Sequence, residues 1–97
     1  MSLLIQVEER VSGTHRGRLD IIADMLNASH GGVKKTYLMY RCNLSFRQLK
    51  HYLNFMLKKN LLRLVFKGGD YNPGLFEVTD KGRKFLKAYK NLKALMK

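Results

Sequence analysis

Apolar residues in this chain recur mostly at helical spacing, with one short stretch where the period drops to two. Residues 1–13 carry an apolar run, Leu3 to Val7, then Glu8-Glu9-Arg10, a pattern that fits a strand, a helical turn or a loose arm alike. Thr14 is placed to cap a first helix running to about Asn27. Leu19, Ile22, Met25 and Leu26 form its inward stripe with Ile21 beside them, and Asp20, Asp24 and Asn27 fall away from it. Gly31-Gly32 stops that helix. A short second helix is predicted from Val33 to about Arg41, with Leu38 and Met39 inward and Tyr37 and Tyr40 on its flanks. Asn43-Leu44 makes a tight turn, and Ser45 with Gln48 three residues on forms a Ser-x-x-Gln capping box for a third helix reaching Lys59.

That third helix has the clearest pattern. Leu49, Tyr52, Leu53, Met56 and Leu57 build one apolar face, and a rotation of about 100° per residue puts Arg47, Lys50, His51, Asn54 and Lys58 on the other. Asn60 suits a left-handed stop. Leu61 to Phe66 and Leu75 to Val78 then read as two strands around a turn cluster, Lys67 to Gly74. Thr79 caps a last helix, Asp80 to about Met96, with Phe85, Tyr89, Leu92 and Met96 at heptad spacing.

The order is helix, helix, tight turn, helix, hairpin, helix. It implies an α+β, mostly α fold: a winged helix-turn-helix of three helices plus a β-hairpin wing, followed by a C-terminal helix. The expected organisation is an N-terminal arm over residues 1–13, a winged-helix domain over 14–79 and a C-terminal helix over 80–97. Met1-Ser2-Leu3 is compatible with an expression scar and carries no weight.

Charge sharpens this picture. The chain holds 19 Lys/Arg and 7 Asp/Glu, net +12, with pI near 10.2. Residues 1–33 carry three cations against four acids, whereas residues 34–97 carry sixteen against three. A surface of that sign expects a polyanion, nucleic acid before anionic membrane. One cysteine, Cys42, gives no disulfide framework and fits a reducing cytoplasm. The short apolar runs predict neither a membrane span nor a signal peptide.

In a helix-turn-helix the second helix of the motif enters the major groove and the first crosses the phosphate backbone. Arg47, Lys50, His51 and Asn54 are therefore the candidates for base or groove contact: cations can donate to guanine, and Asn54 can pair with adenine. Lys34, Lys35, Ser45 and Lys58 are the phosphate candidates. Two lysines at a helix start oppose the macrodipole by a few tenths to about 1 kcal/mol each, a cost that a bound phosphate would offset. Arg63, Lys67 and Tyr71 are the wing candidates, although Asp70 at the tip disfavours deep insertion.

The run Lys34-Lys35-Thr36-Tyr37-Leu38-Met39-Tyr40-Arg41-Cys42-Asn43-Leu44-Ser45, with Val78-Thr79-Asp80-Lys81-Gly82 opening the last helix, resembles the small archaeal winged-helix DNA-binding proteins. These are abundant basic proteins and predicted transcriptional regulators that dimerise through an antiparallel C-terminal coiled coil. The likeness runs from about Arg16 to Met96 and implies duplex DNA binding, specific or sequence-tolerant, by a cytoplasmic, nucleoid-associated homodimer. Tyr89, Leu92, Leu95 and Met96 would form the dimer interface. The last helix leaves only about two heptads, short for a coiled coil by itself, and Phe85, Leu86 and Tyr89 are equally placed to pack on their own domain.

Catalytic chemistry finds little support. His15, His30, His51 and Cys42 lack metal-ligand spacing, Glu8-Glu9 and Asp20/Asp24 make no convincing acid–base pair, and neither glycine pair matches a phosphate cradle. No enzyme activity, metal or cofactor is expected. The competing readings are a winged-helix module for an acidic protein partner, and RNA binding, which the narrow A-form major groove disfavours.

Overall fold

The computed structural model describes residues 16–66 and 74–97. Helix α1 spans Arg18–Ala28, α2 Lys35–Arg41 and α3 Phe46–Lys58; strands β1 (Leu62–Val65) and β2 (Leu75–Val78) precede α4, Asp80–Leu95. The predicted sequence of elements is thus present. It forms a mostly helical winged helix-turn-helix around one core in which Met25, Leu26, Leu38, Leu49, Met56, Leu62 and Val78 are fully enclosed.

Helix α1 begins later than expected. Gly17 holds the cap position, and the Asp20 carboxylate accepts its backbone N–H at 3.0 Å. Thr14, the expected cap, lies outside the described residues. Asp24 and Asn27 are exposed as predicted, but Leu19 is half exposed and Asp20 is partly covered. Asp20 is covered because α4 packs along α1, giving this helix a second contact side that a single-stripe reading does not contain.

Val33 also departs from its predicted place. Gly31 and Gly32 turn the chain at φ +84° and +88°. Val33 then exchanges two backbone hydrogen bonds with Phe76, at 2.9 and 2.7 Å, instead of opening α2. Lys34 becomes the cap residue. Ser29, buried, donates to the Met25 carbonyl at 2.6 Å and accepts the Val78 amide, tying the end of α1 to the hairpin.

Asn43 (φ +56°) makes the tight turn, and Asn60 (φ +62°) ends α3 as its short polar side chain allows. The capping box forms in both directions: the Gln48 amide donates to Ser45 Oγ at 3.1 Å, and the Ser45 amide donates to Gln48 Oε1 at 3.0 Å. The strands pair antiparallel, Leu62 with Val78 through Val65 with Leu75.

At the start of α4, Thr79 Oγ1 accepts the Gly82 amide at 3.0 Å and donates to the Asn60 carbonyl at 2.6 Å. The Lys81 ammonium donates to the Lys59 carbonyl at 2.8 Å, placing a cation where the α3 dipole is negative. Gly82 sits against the backbone of Leu61. The Thr79-Asp80-Lys81-Gly82 segment is therefore a joint that holds α4 on the end of α3.

Candidate nucleic-acid interface

Helix α3 packs on α2 through the tight turn and on β1 beyond its end, with Leu49, Tyr52, Leu53 and Met56 buried. That packing fixes its other side outward. Arg47, Lys50, His51, Asn54 and Lys58 are all exposed, as their spacing predicts. Lys50 Nζ lies 5.8 Å from the Phe46 ring centre, and the His51 ring meets Tyr52 edge-on at 5.1 Å. Ser45 spends one lone pair on its cap, so its hydroxyl proton is available to an acceptor.

Lys34 and Lys35 border a groove of about 280 Å³ between the start of α2 and the hairpin, shared with Thr36, Leu64, Gly74 and Phe76. The phosphate candidates on α2 therefore stand beside the hairpin. Arg63 is differently engaged: its Nε and Nη2 both donate to Glu77 Oε1 across the strand pair, at 3.1 and 2.8 Å. Its charge is already balanced at the base of the wing. Lys67, Asp70 and Tyr71 lie outside the described residues.

The distribution of acids makes α2 and α3 distinct. The ion pairs among the described residues are Arg16–Asp24, Arg63–Glu77, Arg83–Asp80 and Lys93–Asp20. None draws on α2 or α3. Residues 34–59 hold seven Lys/Arg and no acid, so no described acid offsets the positive charge of this region.

The far end of α4 carries the residues expected at a dimer seam. Tyr89 donates its hydroxyl to Asp20, stacks on Phe85 at 6.4 Å, and has the Lys93 ammonium 5.8 Å from its ring. Tyr89 is thus committed within its own chain. Leu92 is half exposed, while Leu95 and Met96 are 82% and 76% exposed. Sequence reasoning missed the Asp20 contact because it joins residues 69 positions apart.

The Tyr89 hydroxyl, then the Gly17 amide and Lys93, hold the Asp20 carboxyl below its usual pKa, and the carboxylate pushes Tyr89 up to about 12. The depressed Asp20 pKa gives stability that is present above the unfolded value, near 3.8, and is lost as pH falls through the lower folded value. The raised Tyr89 pKa gives stability that is present below about 10 and is lost as pH rises through about 12. Tyr89→Phe is expected to cost about 1 kcal/mol at neutral pH. It should also flatten the alkaline limb of a thermal-denaturation pH series; an unchanged limb would contradict the contact. Burial pushes the Cys42 thiol up, which fits a packing residue.

Among the described residues no group of three His, Cys, Asp or Glu could hold a metal ion, and no helix is long and apolar enough to cross a membrane. A family model for the winged helix-turn-helix matches residues 15–97. Among solved structures, the chain is similar to Sso10a-2, a DNA-binding protein from Sulfolobus solfataricus. The two share 20% identity at a TM-score of 0.72, over 84% of this chain and 82% of that one, a likeness of fold. No curated protein matches the chain.

Proposed function

Because the chain belongs to the winged helix-turn-helix family, we propose that it binds duplex DNA with α3 in the major groove. The observation that carries this reading is the unbroken positive charge of α2 and α3, whose cations face solvent while the described acids pair elsewhere. The DNA-binding description of the structurally similar archaeal protein supports it. Arg47, Lys50, His51 and Asn54 meet base edges or the groove walls; Lys34, Lys35, Ser45 and Lys58 meet phosphates. Of the wing candidates, Lys67 and Tyr71 remain part of the proposal, with Arg63 contributing less because Glu77 neutralises it.

The cellular role in this reading is that of a transcriptional regulator or nucleoid-associated protein. It acts as a homodimer joined through the exposed Leu92, Leu95 and Met96, and sedimentation across a concentration series tests that state. Salt-titrated equilibrium binding to duplexes of unrelated sequence tests the function. If each protomer neutralises about five phosphates, log K falls against log[salt] with a slope of about −4.5. Lys34→Gln should weaken every duplex about equally and flatten the slope by about one per protomer. No duplex binding at low salt would refute the proposal.

A further inference from the structure

Tyr37 and Tyr40 are left unused by the duplex contacts above. They are 48% and 80% exposed, and neither side chain makes a hydrogen bond or ring contact among the described residues. They stand one turn apart on α2, because Leu38 is the residue that this helix turns fully inward. With Val33, Leu75, Lys34 and Thr36 they line an open groove of about 500 Å³. The groove of about 280 Å³ beside it shares Lys34 and Thr36 and carries on to Leu64 and Phe76. The two make a trough along the junction of α2 and the hairpin, apolar and aromatic over most of its lining, with lysine in the middle.

A ligand matched to this trough is both flat and anionic. Residues 33–69 contain no Asp or Glu, so nothing in that segment offers the lysines a competing carboxylate. Intact duplex meets only half of the requirement: its phosphates are accessible, but its base faces are stacked on one another. An unpaired strand offers both, since every base has a π-face that stacks on tyrosine irrespective of sequence, while the backbone follows positive charge.

We propose that the trough between α2 and the hairpin binds the unstacked bases of single-stranded DNA, with Tyr37 and Tyr40 as the stacking platform and Lys34 as the phosphate contact. This rests on reading the chain as a DNA-binding protein, but not on α3 occupying a major groove. A strand held here would lie next to the duplex contacts, because Lys34 belongs to both.

The test compares three labelled probes by fluorescence anisotropy: a short oligothymidylate, an abasic strand of the same length, and a duplex. The oligothymidylate should bind at least about tenfold tighter than the abasic strand, a difference that isolates stacking from charge. The Tyr37→Leu/Tyr40→Leu pair should remove that advantage while leaving duplex affinity within about twofold, and the Tyr37→Phe/Tyr40→Phe pair should retain it. Equal binding of the oligothymidylate and the abasic strand by the unmodified protein overturns the proposal, whatever the variants do. So does a Leu pair that weakens duplex and single strand equally, since the tyrosines would then be ordinary backbone contacts. Binding of duplex without oligothymidylate sinks this inference and leaves the duplex reading intact; the reverse pattern sinks the duplex reading alone.

Discussion

Gly82→Ala should lower the melting temperature by about 10–20 °C, the largest stability effect expected from a single added methyl group among the described residues. A Cβ at this position would lie 2.4 Å from the Leu61 carbonyl oxygen and 2.7 Å from Val78 Cγ2. The oxygen cannot swing aside cheaply, because it accepts the Thr79 amide at 3.1 Å at the joint between the hairpin and α4. Val78 is itself fully buried. Overpacking typically costs about 1–3 kcal/mol, and a clash with a held backbone oxygen puts this site at the top of that range or just above it, about 3–4 kcal/mol. Alanine recovers about 1 kcal/mol of helix propensity, so a net loss of about 2–3 kcal/mol is expected, a large fraction of the 5–15 kcal/mol typical of folded domains. Thermal denaturation of the variant checks this. A melting temperature equal to that of the unmodified protein would mean that α4 does not approach Leu61 this closely.

Replacing Arg47 and Lys50 together with glutamine should reduce duplex affinity at least about a hundredfold and flatten the salt dependence by about two per protomer. Both side chains are exposed on the outer face of α3 and pair with no acid among the described residues. Their removal therefore costs the fold little, within about 0.5 kcal/mol. Arg47 even opposes the dipole in the first turn of its helix, so glutamine there should hold stability level or raise it slightly. The expected signature is lost binding with an unchanged or slightly higher melting temperature. Unchanged affinity in a folded double variant would remove α3 from the interface.

Much of this fold was legible because its decisive signals are local. The capping box at Ser45 and Gln48, the left-handed stop at Asn60 and the one-sided apolar face of α3 each lie within a few residues, and local rules describe such features well. The exposed side of α3 followed from the same arithmetic. What escaped depends on contacts between distant segments. Asp20 reads as a solvated acid until α4 brings Tyr89 and Lys93 to it. Val33 reads as a helix start until β2 supplies Phe76 as its backbone partner. Leu19 reads as core because periodicity gives a stripe its phase but not its width. One signal does lie in the sequence: a glycine two residues inside a helix costs about 1 kcal/mol and points to close packing, which Gly82 makes against Leu61.

The candidate interface was legible in the same uneven way. Charge and position drew attention to Arg47, Lys50, His51, Asn54, Lys34 and Lys35, all of which are exposed. Arg63 and Tyr89 were drawn in by residue type and spacing, and the fold gives each an intramolecular partner. The trough at Tyr37 and Tyr40 could not be read from sequence, since its second wall comes from the hairpin.

The most direct test of the central claim is a residue-resolved amide NMR titration of the full chain with a short duplex. The largest shifts should fall on Arg47 to Asn54 and on Lys34 and Lys35, with the flank of α4 that carries Arg83, Lys87 and Lys90 quiet. Shifts confined to that flank, with α3 unmoved, would contradict the account.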